Sequence, residues 1–378
     1  MGRVLAVVGL AVALAGCGQA GPSAGSSASG KPSEWDALVE AAKKEGSVTV
    51  YASQGAAYRQ MDVLAFENAY PGMKVDAIFV ASNERISRLS LERQAGKYLA
   101  DLWISGTSDT VTTVKDAGYL QPLKPQLMLP EVLDENAWLQ HRLWWADGTE
   151  PFTTLQFAGV VNPILFVNPK LVDPGSFTSY WDLLDPKWKG KIVATDVRNP
   201  GKGADPTRFV YKNPALGPTF LTRLFSEMDI KLSDDQRQLT DWIAQGTYPL
   251  GVFLAASEVT VAIKQGLSIA IVPAEQFKEG ASIGPGAGAV AMVDRAAHPN
   301  AAKLYVNWLL SRQGQEAWQR IVGDPSLRID IPKTGLNPQT VPKEGVTYTA
   351  TGTEDYARLQ NGVIRGLIDD ALKKKAST

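Results

Sequence analysis

Two arginines, Arg198 and Arg208, stand on either side of a polar loop that is rich in glycine and proline. A guanidinium group can donate two parallel hydrogen bonds to a carboxylate or a phosphate, so two arginines can clamp one oxyanion between them. Surface arginines are common, and the alternative is that both are ordinary solvated charges. The pair therefore gives a first hypothesis, an oxyanion clamp, which the fold must test.

Small polar side chains follow several predicted strands, at the point where each strand leads into a helix. Ligands of open α/β sheets bind at the carboxyl ends of strands, and the free N–H groups of a helix start favour an anion. The alternative is that these residues only form caps and turns, as Ser82 would at the start of a helix. The predicted ligand-binding residues are Ser53, Gln54, Gly55, Ser82, Asn83, Thr107, Arg198, Arg208 and Ser257. Arg85 has two open interpretations, a solvated charge or a further ligand contact.

Composition excludes several classes of protein. The 378-residue chain has 38 Lys and Arg against 39 Asp and Glu, which gives no basic surface for nucleic acid. One cysteine and two histidines allow neither an intramolecular disulfide nor a Cys/His zinc site. Neither an H-E-x-x-H motif nor a Gly-Lys-Ser/Thr phosphate loop occurs. We therefore predict a binding protein without a metal or a cofactor, and a secreted enzyme is the alternative class.

The amino terminus has the pattern of a secretory signal. Arg3 precedes an apolar stretch over residues 4–15 that is too short to span a bilayer permanently. The sequence Leu-Ala-Gly-Cys, which ends at Cys17, resembles the bacterial lipobox. Cleavage before Cys17 and acylation of its thiol would anchor the mature chain, and the alternative is an ordinary signal peptide with a chance cysteine. Residues 18–33 are rich in Gly, Ser and Ala, which predicts a flexible tether.

The segment over residues 179–196 predicts a helical turn followed by a buried strand. Ser179 can cap the turn, and Pro186 ends it because proline has no N–H and disfavours helix at the residue before it. Residues 191–195 then form the predicted strand, which ends at Asp196. Similar alternation of strands and amphipathic helices along the chain predicts an α/β protein.

This segment also carries a family resemblance. Trp-Asp-Leu-Leu-Asp-Pro-Lys-Trp-Lys-Gly-Lys-Ile, at residues 181–192, closely resembles a segment of bacterial extracellular solute-binding proteins, in the branch that includes ferric-iron binders. Residues 43–51, 66–75 and 298–315 resemble further segments of that family. The resemblance implies an α/β protein with the two-lobed periplasmic-binding-protein fold (type II). Each lobe would be a mixed sheet flanked by helices, with the ligand cleft between the lobes.

Chain crossings between lobes are implied at residues 155–167 and at the glycine-rich stretch over residues 283–292. Boundaries can be placed from these crossings. The predicted division is a lipoprotein signal peptide at 1–16, a tether at 17–33, lobe 1 at 34–155 and 275–322, and lobe 2 at 156–274 and 323–378.

Ferric binders of this branch hold the ion with adjacent tyrosines, often together with His and Glu. The tyrosines would lie near residues 253–258, where this chain has Phe-Leu-Ala-Ala-Ser-Glu, and no Tyr-Tyr pair occurs anywhere in the sequence. Gln54 and Thr107 stand near the positions where a histidine and a glutamate would be expected. A bare ferric ion is therefore not the ligand that we predict.

The predicted function is that of a monomeric substrate-binding lipoprotein, held at the membrane in the periplasm or at the cell surface. It would capture a small oxyanion or organic acid and deliver it to the permease and ATPase of an ABC importer. The alternatives are a binding protein for ferric iron or an iron chelate, a sensor receptor, or a secreted enzyme on the same fold.

Overall fold

A computed structural model describes residues 33–53, 56–199, 203–359 and 361–376. The predicted signal peptide, the lipobox with Cys17 and nearly all of the predicted tether lie outside the described residues. No helix in the described part of the chain is long and apolar enough to cross a membrane.

Strands and helices alternate along the described chain. The strands are β1 (Ser47–Ala52), β2 (Lys74–Phe79), β3 (Leu102–Ser105), β4 (Trp144–Trp145), β5 (Thr154–Gln156), β6 (Val160–Val161), β7 (Leu165–Val167), β8 (Ile192–Thr195), β9 (Lys231–Ser233), β10 (Leu250–Val252), β11 (Ala270–Ile271), β12 (Ala281–Gly284), β13 (Ala289–Met292) and β14 (Tyr348–Ala350). The α-helices are α1 (Glu34–Glu45), α2 (Ala56–Gln60), α3 (Glu67–Ala69), α4 (Ser82–Gln94), α5 (Thr107–Asp109), α6 (Pro130–Leu133), α7 (Ala204–Lys212), α8 (Gly217–Glu227), α9 (Gln236–Ala244), α10 (Ala256–Lys264), α11 (Pro299–Leu310), α12 (Arg312–Ile321), α13 (Glu354–Ala357) and α14 (Asn361–Ala376). Wider π-helical turns, Met61–Phe66 and Thr110–Val114, continue α2 and α5.

The first sheet has the strand order β2-β1-β3-β13-β5-β4. β1 pairs in parallel with β2 and β3, whereas β13 returns antiparallel between β3 and β5. The carboxyl ends of β1 and β3 therefore lie at the same edge of the sheet, and Ser53 N–H donates to Ile104 O there at 3.1 Å. This edge positions the helix starts of α4 and α5.

The second sheet has the order β11-β7-β10-β8-β9. β10 and β8 run parallel, as do β8 and β9, and β7 is antiparallel to β10. α7 follows β8 and α10 follows β10, so both helices begin near the carboxyl ends of neighbouring strands. This sheet is a second place where a ligand could meet helix starts and strand ends.

A third sheet, with the order β14-β12-β6, joins the other two. β6 lies in the chain between β5 of the first sheet and β7 of the second, and β12 lies between β11 of the second and β13 of the first. The chain thus passes between the two large sheets through this small one. We call β14, β12 and β6 the hinge sheet.

Separate hydrophobic cores support the two large sheets. The first contains Val50, Leu102 and Trp308, and the second contains Leu165 and Phe225. This arrangement confirms the predicted two-lobed α/β fold, with lobe 1 built on the first sheet and lobe 2 on the second. Such cores form because strand residues that are apolar on the inner face must be covered by helices.

One part of the predicted division differs from the packing in the structure. Leu327 and Tyr348 belong to the hydrophobic core of lobe 1 and are nearly fully buried, although residues 323–378 were assigned to lobe 2. Ile364 and Ile368 of α14 do pack in the core of lobe 2. The remaining boundaries of the predicted division stay a prediction.

The segment over residues 179–196 folds as the sequence predicts. Ser179 Oγ accepts a hydrogen bond from Trp181 N–H at 3.2 Å, and its 3₁₀ turn spans Tyr180–Leu184. A second short turn, Pro186–Trp188, follows before β8. Gly190 has a φ of 72°, a left-handed conformation that glycine adopts without strain.

Candidate functional site

A cleft opens between lobe 1 and lobe 2 beside the hinge sheet. It consists of a cavity of about 710 Å³ and an adjoining one of about 370 Å³. The two share five lining residues: Ser82, Ser108, Asp109, Asp205 and Gly286. Because they are continuous and lined by both lobes, we treat them as one candidate ligand site.

Hydroxyl groups at the carboxyl ends of β1 and β3 form the wall of lobe 1. Ser53 Oγ lies 3.4 Å from Ser105 Oγ, and Thr107 is the first residue of α5. Ser82 differs from its predicted role as a helix cap. Ala81 is the N-cap of α4, and the Ser82 hydroxyl instead donates a hydrogen bond to Asp109. The Ser82 hydroxyl is therefore held by Asp109 in the wall of the cleft and does not cap the start of α4.

Arg85 is not the solvated charge that was one of its two alternatives. Its side chain lines the cleft but is 1% exposed, so it is not a solvated charge. Its Nη2 donates to Ser105 Oγ at 2.7 Å, and its guanidinium lies 4.5 Å from the centre of the Trp103 ring. Arg85 therefore places a fixed positive charge behind the serine hydroxyls of lobe 1.

Arg208 carries the positive charge of the lobe 2 wall. It lies on α7, is 6% exposed, and donates from Nη1 to Ser108 Oγ of lobe 1 at 3.0 Å. The same Nη1 lies 3.5 Å from Asp205 Oδ1, one turn earlier on the helix. Arg208 thus reaches across the cleft and joins the two lobes directly.

The structure brings five of the predicted site residues to the cleft and leaves the other four elsewhere or undescribed. Ser53, Ser82, Thr107, Arg208 and Ser257 line the two cavities. Gln54 and Gly55 lie outside the described residues. Asn83 is exposed on the first turn of α4 and does not line either cavity.

Arg198 does not line the cleft, in contrast to the clamp hypothesis. Its Nε donates to Asp196 Oδ1 at 2.7 Å, and its Nη1 donates to Asp369 Oδ1 of α14 at 3.1 Å. Hydrogen bonds to these carboxylates raise the pKa of Arg198, and the guanidinium of Arg198 in turn lowers the pKa of Asp196. The guanidinium is occupied by a structural ion pair, so the described cleft has Arg208 and Arg85 as its cations.

Three carboxylates that were not among the predicted site residues line the cleft: Asp109, Asp205 and Asp324. Desolvation raises the pKa of Asp324 to about 6. It also raises the pKa of Asp205, an effect that the charge of Arg208 partly opposes. Asp109 and Asp205 lie in helices that begin soon after a strand ends. Their position in the sequence could therefore have marked them as candidate site residues. Asp324 follows α12 in a loop and gave no such signal.

The described residues contain no group of three or more His, Cys, Asp and Glu side chains that could hold a metal ion. The lining of the two cavities, as far as the structure describes it, includes no tyrosine and no histidine. His298, one of the two histidines, instead lies 2.8 Å from buried Asp101 through Nδ1. The described lining therefore offers a ligand hydroxyl, carboxylate, amide and guanidinium groups.

Contrary to the expectation that the sequence holds no G-x-S-x-G motif, this pattern occurs at residues 21–25, outside the described residues, and at residues 280–284. In hydrolases this pattern places the serine on a turn between a strand and a helix. Here Ser282 lies inside β12 of the hinge sheet, is 1% exposed, and accepts a hydrogen bond from Asn162 Nδ2 at 3.4 Å. The pattern is thus a buried strand, which is incompatible with a nucleophile elbow.

Residues 47–320 match the model of a family described as bacterial extracellular solute-binding protein. The chain belongs to this family. The match covers both lobes and the β6 and β12 strands of the hinge sheet, and so includes most of the cleft. No curated protein sequence is significantly similar to the chain.

Solved structures of bacterial binding proteins share the fold. Ferric iron-binding protein A from Mannheimia haemolytica, in an open conformation, has a TM-score of 0.66 and 16% identity, covering 87% of this chain and 99% of its own. AfuA from Actinobacillus pleuropneumoniae, with fructose-6-phosphate bound, has a TM-score of 0.59 and 17% identity, covering 88% and 100%. Iron-bound HitA from Pseudomonas aeruginosa has a TM-score of 0.54 and 17% identity, covering 88% and 98%. At these identities the likeness concerns the fold and not the ligand.

Proposed function

We propose that this solute-binding protein is the ligand-capturing component of an ABC importer and binds a small oxyanion or organic acid in the interlobe cleft. The observation that carries the proposal is the cleft itself, which both lobes line beside a hinge sheet. Two lobes joined in this way can close around a ligand. Binding rather than turnover is the proposed activity, because the hydrolase-like pattern within the described residues is a buried strand and the other, at residues 21–25, lies in the predicted tether.

The hydrogen bond from Arg208 to Ser108 supports a closing mechanism. It links helix α7 of lobe 2 to the short helix α5 of lobe 1, directly inside the cleft. A ligand that contacts both residues would bind the closed form better than the open one. Only such differential affinity shifts the equilibrium toward closure.

The donors of the cleft support an oxyanion as one part of the ligand. Arg208 and Arg85 are both buried and both lie beside serine hydroxyls, which can rotate to donate hydrogen bonds. A buried anion needs paired positive charge or several donors, and this arrangement provides both. The fructose-6-phosphate bound to AfuA carries such an oxyanion on the same fold.

Ferric iron is the competing ligand, because two of the three solved structures described above are of iron-binding or iron-bound proteins. Fe³⁺ is a hard cation, and the tyrosine pair expected near residues 253–258 is missing from the sequence. The described cleft has carboxylates but no tyrosine or histidine. We therefore favour the oxyanion and keep iron as an outcome of the test.

Acylation at Cys17 would hold the protein at the membrane in the periplasm or on the cell surface, as a monomer. The tether over residues 18–33 would then let the two lobes reach a permease–ATPase complex. No nucleic acid is expected as a partner, since the chain has a net charge of −1.

A thermal-shift screen of the soluble Cys17→Ser protein tests this function. The panel holds carboxylates, phosphonates, sugar phosphates, polyamines, thiamine and ferric salts. A ligand at one hundred times its dissociation constant adds about 2.7 kcal/mol to the free energy of unfolding, which the melting temperature reports. Tight ferric binding with a tyrosinate absorption band would contradict the oxyanion. Catalytic turnover of a panel compound would contradict a receptor.

A further inference from the structure

The carboxylates of the cleft approach the hinge from both lobes. Asp205 of lobe 2 has an Oδ2 atom 3.1 Å from the position that a Cβ at Gly284 would take. Asp324, which follows α12 of lobe 1, has an Oδ2 atom 3.1 Å from the corresponding position at Gly286. The two glycines are two residues apart at the end of β12, so the two carboxylates flank the same short stretch of chain.

The three carboxylates of the cleft differ in whether a hydrogen-bond donor or a positive charge lies beside them. Asp109 accepts a hydrogen bond from Ser82, and Asp205 lies near Arg208. Within the described residues, Asp324 has neither an ion pair nor a hydrogen bond from a side chain or backbone N–H group. Its raised pKa agrees with a carboxyl group that is desolvated and lacks a counter-ion.

The count of charges in the cleft bears on the ligand. Among the lining residues that the structure describes, Asp109, Asp205 and Asp324 face two cations, Arg85 and Arg208. A purely anionic ligand would add negative charge to this described lining, which already has an excess of it, and uncompensated buried charge is costly. Closure would also bring the carboxylates of Asp205 and Asp324 together from opposite lobes. A positive group between them would remove both costs.

We infer that the solute carries an amino group as well as its oxyanion, with the amino group held between Asp324 and Asp205 beside the hinge and the oxyanion at Arg208 and the serine hydroxyls. This inference rests on the proposed function and narrows the class of its ligand. An ammonium group donates three hydrogen bonds and accepts none, which suits a pair of carboxylates. Because one carboxylate comes from each lobe, the amino group favours the closed form.

The test compares probes that differ only in the amino group. Soluble Cys17→Ser protein is titrated calorimetrically with 2-aminoethylphosphonate against ethylphosphonate, with taurine against ethanesulfonate, and with β-alanine against propionate. We expect the amino member of at least one pair to bind at least tenfold more tightly than its partner. We expect Asp324→Asn and Asp205→Asn each to reduce that advantage to less than threefold.

Asp370→Asn is the matched control, because it removes one negative charge from an aspartate of α14 whose side chain is 72% exposed. It should leave the amino advantage intact. Equal binding within every pair, or an advantage that survives Asp324→Asn and Asp205→Asn, would overturn the inference while leaving an oxyanion receptor in place. If ferric citrate or a neutral sugar binds and no member of any pair does, the oxyanion class and the inference both fail. Binding of no probe at all also overturns the inference.

Discussion

Arg208 on α7 of lobe 2 donates a hydrogen bond to Ser108 Oγ of lobe 1 at 3.0 Å, across the cleft. The two residues are 100 positions apart in the chain, and the lobes that carry them are connected through the hinge sheet. Each lines the larger cavity, so a ligand there would contact the residues that join the lobes. We therefore expect capture of ligand and closure of the lobes to depend on the same guanidinium.

We expect Arg208→Ala to raise the dissociation constant of the solute found in the screen by about ten- to a hundredfold. A charged hydrogen-bond partner is worth about 1.5–3 kcal/mol, which corresponds to that loss. Calorimetric titration measures it. Arg198→Ala should retain the affinity, since Arg198 pairs with Asp196 and Asp369 outside the cleft. Arg223→Ala is a control for the loss of an exposed arginine. Unchanged affinity in Arg208→Ala would remove this residue from the ligand site.

Asp324→Asn should stabilise the ligand-free protein in a pH-dependent manner. The pKa of Asp324 is raised to about 6, so the folded state binds a proton more tightly than the unfolded state does. The wild-type protein therefore loses stability as pH rises from about 4 to 6, and the penalty persists above pH 6. The asparagine variant has no such penalty. Its advantage over the wild type should be small at pH 4 and reach about 2–3 kcal/mol at pH 7.

Urea unfolding of both proteins at pH 4, 5, 6 and 7 measures this difference. Other carboxylates titrate in the same range, but their effects cancel in the comparison because both proteins contain them. A difference that is the same at pH 4 and pH 7 would show that Asp324 titrates normally.

Gly288→Ala should destabilise the crossing between the lobes. A Cβ at Gly288 would lie 2.2 Å from Ala158 Cβ and 3.2 Å from the backbone nitrogen of Ala158, so the chain must move. Overpacking of this kind costs about 1–3 kcal/mol. Thermal unfolding measures the cost, and Gly148→Ala is the control, because no atom lies within 4 Å of its added Cβ. Equal melting temperatures for the two variants would contradict the close approach.

Cys17→Ser should abolish acylation and release the protein from the membrane. The thiol of Cys17 is the proposed attachment point, and the chain contains no other cysteine. Membrane fractionation and mass spectrometry of the amino-terminal peptide give the two readouts. Lys31→Ala, elsewhere in the predicted tether, should remain acylated and membrane-bound. A Cys17→Ser protein that is still acylated would refute the lipobox.

The sequence was sufficient to predict the local elements of the fold. Ser179, Pro186 and Gly190 fix their turns through a hydroxyl acceptor, a missing N–H and a left-handed φ, and none of these requires a distant partner. The buried strand β8 followed from its apolar run. The family resemblance then implied the two lobes, which the two hydrophobic cores confirm.

The sequence could not predict which charged side chains line the cleft, because the partner of each charge depends on which residues the fold brings close together. Arg198 and Arg208 looked equivalent in the sequence, yet Asp369 lies 171 positions from Arg198 and Ser108 lies 100 positions from Arg208. Asp324 gave no local signal, and its importance comes from the hinge glycines beside it. Sequence determined the turns and the strands, which arise from short-range backbone preferences and apolar periodicity, and the family resemblance implied the two lobes. Only the tertiary structure decided which charged side chains face the cleft, because that depends on contacts between segments far apart in the chain.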